Sequence, residues 1–205
     1  VMVLLRTFAD PNDPADMKAA NSLQDRVRAE QASVGTFEVP DWDEASLRTV
    51  RDALNVLAAT KADASGMFGD KAKLNPIDHL LGTAYGWGGN PKEAAVYQNG
   101  VPPINNGQTP YVLTARDVPV DGFWSITVYN AKGFMEPNDR NAYSVNNVTA
   151  KRNADGSVTV HFGGDPSAAN YLPITPGWSY VVRMYQPRKE VVDGTWKFPD
   201  AQLAK

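Results

Sequence analysis

Apolar positions along this chain follow two different rhythms. In the first half they recur every three or four residues, the spacing of a helix face. In "NDPADMKAANSLQDRVRAEQ" the stripe is Met17, Ala20, Leu23 and Val27. Asp13 stands as an N-cap, Pro14 occupies the first helical position, and Asp16 faces the positive end of the helix dipole. "DWDEASLRTVRDALNVLAAT" places Leu47, Val50, Leu54 and Leu57 on one face, with Arg48, Arg51 and Asp52 largely off it. Asn75-Pro76 opens a further helix through "IDHLLGTAYG". Asn90, Pro91 and Glu93 repeat the start signal and predict a short helix through "KEAAVYQ".

After "NGVPPINNGQTP" the period falls to two. "YVLTARDV" and "FWSITVYN" read as strands rich in β-branched and aromatic residues. Asp155-Gly156, between "VTAKR" and "SVTVHF", predicts a hairpin turn. In "GWSYVVRMY", Trp178, Tyr180, Val182 and Met184 alternate with Ser179, Val181, Arg183 and Tyr185 across the two faces of a strand. The tail "GTWKFP" reads as a short edge strand or a packed terminus, and the opening "VMVLLRTF" as an early strand. The expectation is an α+β protein with a helical part over 1–105 and an antiparallel sandwich over 106–205, packed as one unit.

Composition narrows the chemistry more than the fold. The 205 residues are 42% hydrophobic and 21% charged, ordinary globular usage with enough chain for a sizeable core. A net charge of -3 gives no basic face for nucleic acid. The absence of cysteine removes disulfides, thiolate metal sites and cysteine nucleophiles. No apolar run approaches the length of a membrane-spanning helix. The opening is too short for a signal-peptide core, and a valine at position 1 suggests an expressed fragment or a processed product.

Long phrases of the sequence resemble a known bacterial family. "PDWDEASLRTVRDALNVL", "MFGDKAKLNPIDHLLGTAYGWGGNPKEAAVYQN", "DVPVDGFWSITVYNAKGFMEPNDRNAYSVNN" and "DGTWKFP" are similar, in order, to the family called domain of unknown function 1214. The resemblance runs from near residue 35 to the end. It implies a jelly-roll-like β-sandwich packed against the helical segment, and often an exported, periplasmic or envelope-associated protein. It also implies a domain of the 1254 family as N-terminal partner in longer relatives, and no established activity.

Familiar catalytic constellations are missing. Only two histidines occur: His79 in a helix beside Leu80, and His161 in a strand between Val160 and Phe162. There is no G-x-S-x-G elbow for a serine nucleophile. Both histidines read as structural, with His79 bonding a backbone carbonyl. Asp78 and His79 are adjacent and point to different sides of a helix, so they are poor co-ligands. "EPNDRN" has oxygens for calcium but lacks the EF-hand spacing. "GWGGNP" lacks the Lys-Ser/Thr of a phosphate loop, and its glycines read as making room for Trp87. No metal site and no cofactor is expected.

The stretch "FWSITVYNAKGFMEPNDRNAYSVNN" remains the richest candidate. Trp124, Tyr129, Phe134 and Tyr143 offer flat apolar surfaces. Asn130, Glu136, Asn138, Asp139, Asn141, Asn146 and Asn147 offer donors and acceptors, the mixture found in small-molecule pockets. The competing reading is that Asn and Asp bond their own backbone in turns. Arg183, mid-strand, either pairs with a carboxylate such as Glu136 or Asp139, clasps a ligand's acid group, or lies on the surface.

Three functional readings follow. The first is a binding or accessory sandwich module for a small molecule or carbohydrate, without catalysis of its own. Its partner would be a 1254-family domain or a second copy. The second is a hydrolase or lyase using Glu136 or Asp139 as acid or base, Arg183 as clamp, and Trp124 and Tyr129 as walls. The third is an assembly protein built through sheet edges.

Overall fold

The structure is a computed structural model, and it describes all residues except 1–4, 8, 11–12, 34, 37, 39, 62–63, 65, 87 and 205. The early strand expected at the start, and Trp87, therefore lie outside or mostly outside the described residues. The chain forms two compact units, Val1–Trp42 and Asp43–Lys205. In the first, helix α1 (Pro14–Gln24) begins as the sequence predicts: Asp13 accepts bonds from the backbone N–H groups of Ala15 and Asp16, at 2.8 and 3.3 Å. Val27 falls beyond its end, so the stripe stops at Leu23.

The second unit opens with a helical hairpin, α2 (Glu44–Ala58) and α3 (Pro76–Gly86), which pack on each other. Asp43 caps α2 through Ala45 and Ser46, and Asn75 caps α3 through Ile77. An ion pair, Lys61 to Asp78 at 2.5 Å, joins the two ends. The covered face of α2 takes in only Leu54 of the predicted stripe. Ala58 is buried and Leu54 and Asn55 are half-buried, whereas Leu47, Val50 and Leu57 are 46%, 56% and 55% exposed. His79 bonds the carbonyl of Met67 at 2.8 Å, as expected of a structural histidine.

Eight strands follow in two four-stranded sheets. They are β1 (Ala95–Gly100), β2 (Tyr111–Ala115), β3 (Trp124–Tyr129), β4 (Ser144–Asn146), β5 (Val158–Phe162), β6 (Tyr171–Leu172), β7 (Ser179–Tyr185) and β8 (Gln202–Leu203). One sheet runs β1-β7-β3-β4 and the other β6-β5-β2-β8. The alternation read in β7 holds: Tyr180, Val182 and Met184 are buried, and their neighbours are half-buried on the outer face. Trp124 and Ile126 of β3 join them opposite Val182 and Met184. Leu113, Val160 and Phe162 of the second sheet complete one shared apolar core. Phe162 stacks on Trp178 at 5.1 Å and lies 5.2 Å from Tyr180, so aromatic contact bridges the sheets.

Three local expectations change. "KEAAVYQ" is not a helix. After a single turn closed by Ala94 and Ala95 N–H on the Pro91 carbonyl, the chain extends into β1 and pairs with β7. Local cap chemistry supplies one turn; the β-branched and aromatic Val96 and Tyr97 then gain more from a neighbouring strand. Gly156 does adopt a positive φ of 83°, and the turn closes through Asn153 and Ser157. The residues before it form no strand, because β5 pairs with β2 and β6 rather than with "VTAKR". The short β6 is parallel to β5, within an otherwise antiparallel pattern. "GTWKFP" is a packed terminus: Phe198 is buried edge-to-face against Trp124.

The core account predicts a large response to one truncation. Phe162→Ala removes the ring that contacts both Trp178 and Tyr180, so it should cost about 3–5 kcal/mol. Urea denaturation measures this, and a loss under about 1 kcal/mol would contradict a shared core.

Candidate functional site

The loop from Asn130 to Tyr143 connects β3 to β4, and two of its amides, Asn130 and Asn138, are committed to the chain itself. Asn130 Oδ1 accepts from the N–H groups of Lys132 and Phe134, at 3.0 and 3.1 Å. Its Nδ2 donates to Glu136 Oε2 at 2.6 Å. Asn138 uses both ends: Oδ1 accepts from Arg140 and Ala142, and Nδ2 donates to the carbonyls of Glu136 and Ala142. Asn141 carries a φ of 50°, a left-handed conformation that Asn tolerates. Asn146 caps the next turn through Val148 and Thr149, and Asn147 Oδ1 accepts from Trp124 N–H at 3.0 Å. An amide bonded at both ends has little left to offer a ligand.

The remaining sequence candidates are dispersed. Trp124 is only 4% exposed and belongs to the core. Glu136 and Asp139 are exposed, and among the described residues Asp139 makes no ion pair or hydrogen bond. Arg183 lies half-buried on the outer face of its sheet and pairs with no carboxylate among the described residues. It donates instead to Thr127 Oγ1 at 3.2 Å and Tyr129 OH at 2.7 Å. Tyr129, Asn130, Glu136, Asn138 and Tyr143 do share one hollow, but its volume is about 10 Å³, room for at most about one water.

A larger cleft opens beside it. About 350 Å³ of space lies between the edge strands β4 and β6, lined by Arg140, Ala142, Ser144, Val145, Thr149, Ala150, Pro166, Ala168, Asn170 and Tyr171. Ala142 borders both hollows. Within the described residues, the Arg140 guanidinium and the hydroxyls of Ser144, Thr149 and Tyr171 make no hydrogen bond. Arg140 is positioned by its place over the Tyr171 ring, 5.8 Å from the centroid. Asn170 forms one wall and is fully spent, on Lys151 N–H and on the carbonyls of Lys151 and Thr159. Nearby Asp165 is engaged by Ser167. That residue's N–H and hydroxyl hold the Asp165 carboxyl below its usual range, with smaller help from Arg140 and His161. His161 is itself fixed, its Nδ1 bonding the Ala169 carbonyl at 2.8 Å.

Reading the sequence singled out the loop containing Arg140 but not Arg140 itself, nor Ser144, Thr149 or Tyr171. The signal that could have found them is negative: these are the polar residues in and around the loop that turn chemistry does not consume. Asn138 gives the corresponding structural test. Asn138→Ala deletes four bonds in a half-buried turn and should cost about 1–3 kcal/mol in chemical denaturation. An unchanged midpoint would mean the loop holds its shape without the amide.

Other proteins place this fold. Residues 96–189 match the family model described as Protein of unknown function (DUF1214). That match is narrower than the stretch of resemblance from near residue 35. The chain is similar in fold to the crystal structure of the VPA0106 protein from Vibrio parahaemolyticus. The TM-score is 0.61 at 22% identity, covering 100% of this chain and 59% of that one. This chain therefore spans less than two thirds of the length of that protein. An uncharacterized protein from Burkholderia cenocepacia is similar at 22% identity and a TM-score of 0.43, covering 58% of this chain and 31% of its own. No curated protein matches the sequence. The resemblance read along the chain is thus matched by the family model over residues 96–189, in the β-rich part, and the DUF1214 family is one of unknown function.

Proposed function

We propose that the chain is a binding or accessory module for a small molecule or carbohydrate, without catalysis of its own, and that the ligand occupies the cleft between β4 and β6. The jelly-roll form of the two-sheet arrangement belongs to the same proposal. One observation carries it: Arg140, Ser144, Thr149 and Tyr171, whose side chains make no hydrogen bond among the described residues, line a cleft of about 350 Å³, a volume in the range of small-molecule sites. The neighbouring amide-rich hollow, at about 10 Å³, lacks the space. The hydrolase reading gains nothing from this geometry, because Glu136 is bound to Asn130 and neither Glu136 nor Asp139 lines the cleft.

A nitrogen–proton NMR titration with neutral and acidic monosaccharides tests the reading. Shifts should concentrate in residues 140–150 and 166–171. Ala168→Phe, which fills the cleft from one wall, should abolish them while leaving the rest of the spectrum in place. Shifts centred instead on Asn130 and Glu136, or none at all, would reject the cleft as the site.

The accessory part of the reading draws on a separate feature. Leu47, Val50 and Leu57 leave an apolar stripe of α2 largely uncovered, and Ile77, Leu80 and Tyr85 of α3 are also exposed. Stripes of this kind mark contact surfaces more often than isolated exposed residues do. The partner in this reading is a second copy or a 1254-family domain. Replacing Leu47, Val50 and Leu57 together by Ser should leave the fold intact, and should lower the mass seen by light scattering if the stripe joins copies. A wild-type chain that stays monomeric at high concentration would leave the separate domain as the only occupant under this reading.

A further inference from the structure

The lining of the cleft is chemically one-sided. Among the described residues Arg140 is its only charged one, and its guanidinium has no ion pair among them. A free guanidinium presents a planar fork of donors that fits two oxygens of one acid group. Three more of the lining residues, Ser144, Thr149 and Tyr171, carry hydroxyls that make no hydrogen bond among the described residues. The Tyr171 ring beneath Arg140 limits the side chain's freedom, so less entropy is lost when the fork engages.

The natural rival for Arg140 is Asp165. It lies close enough to feel Arg140's charge, yet it forms no ion pair with it. Both of its oxygens are held by Ser167: Oδ1 accepts from the N–H and the hydroxyl, and Oδ2 from the hydroxyl, each at 2.8 Å. The acceptor positions of the local carboxylate are thus taken up by Ser167 while its charge remains, and the local cation makes no ion pair among the described residues.

We infer that the cleft selects a small molecule bearing an oxyanion, a carboxylate or a phosphate ester, with Arg140 as the group that meets it. This rests on the reading of the cleft as the binding site. The oxyanion is bound in the fork, and the hydroxyls of Ser144, Thr149 and Tyr171 serve the remaining oxygens or ring hydroxyls of the ligand.

Three probes sharing one ring separate the possibilities: glucose, glucuronate and glucose 6-phosphate, titrated by NMR against the full chain. At least one acid should bind about tenfold or more tightly than glucose, and the better of the two names the oxyanion. Arg140→Gln should reduce that acid to the level of glucose. Asp165→Asn keeps the acceptor for Ser167 N–H and removes the competing charge, so it should strengthen acid binding about two- to fivefold. Lys132→Gln, which removes an exposed cation from the same loop, should leave the preference unchanged. If glucose binds as tightly as both acids, the oxyanion inference falls while the cleft stands. Should Arg140→Gln leave an acid preference intact, Arg140 is not the recognising group. If none of the three shifts the residues around the cleft, both readings fall together.

Discussion

The two sheets are held as one body by the contact of Phe162 with Trp178 and Tyr180, and much of the rest of the second unit is arranged around it. Each sheet alone has a face of apolar side chains that water would meet. Closing them on each other buries Ile126 and Val182 from one side and Leu113 and Val160 from the other. The packing overrides finer demands: the indole N–H of Trp178 is buried with no partner among the described residues. A lost hydrogen bond there costs on the order of 1–3 kcal/mol. Burying the ring, at about 25 cal/mol per Å² of apolar surface, is of comparable size or larger.

A second constraint decides what the surface can do. Buried or half-buried backbone groups must find partners, and between β3 and β4 the nearby asparagines provide them. Asn130, Asn138, Asn146 and Asn147 are therefore structural before they are anything else. The residues left over, Arg140, Ser144 and Thr149, are those whose side chains the backbone does not need. Polar richness in the sequence marks the neighbourhood of the cleft, and Asn130 and Asn138 within it are amides that the chain's own turns already use.

Legibility followed locality. Asp13, Asp43 and Asn75 are readable as caps because their partners lie two or three residues away. The faces of β3 and β7 are readable because a period of two needs no knowledge of the partner strand. "KEAAVYQ" misleads because its cap chemistry is local, while the strand that captures Val96 and Tyr97 lies near residue 183. The stripe on α2 is legible as amphipathic, yet the sequence does not show that Asn55 and Ala58 are covered along with Leu54 while Leu47, Val50 and Leu57 stay exposed. The cleft is the least legible feature of all. It brings Arg140 and Ser144 to Tyr171, across a gap in sequence that only the pairing of the sheets closes.

The cleft's position has a cause in the sheets themselves. β4 and β6 are edge strands of three and two residues, and short edges limit pairing with foreign strands. Where the ladders stop, the chain must cover its own backbone. It does so with the Asn146 turn on one side and with Asn170 and the Ser167–Asp165 turn on the other. Residues of both turns, Thr149 on one side and Pro166, Ala168 and Asn170 on the other, line the open space. The hollow is thus first a consequence of ending two sheets early. What turns it from a gap into a candidate site is the placement of Arg140 over Tyr171, within the described residues a charge with no carboxylate partner, at a point that the fold leaves open.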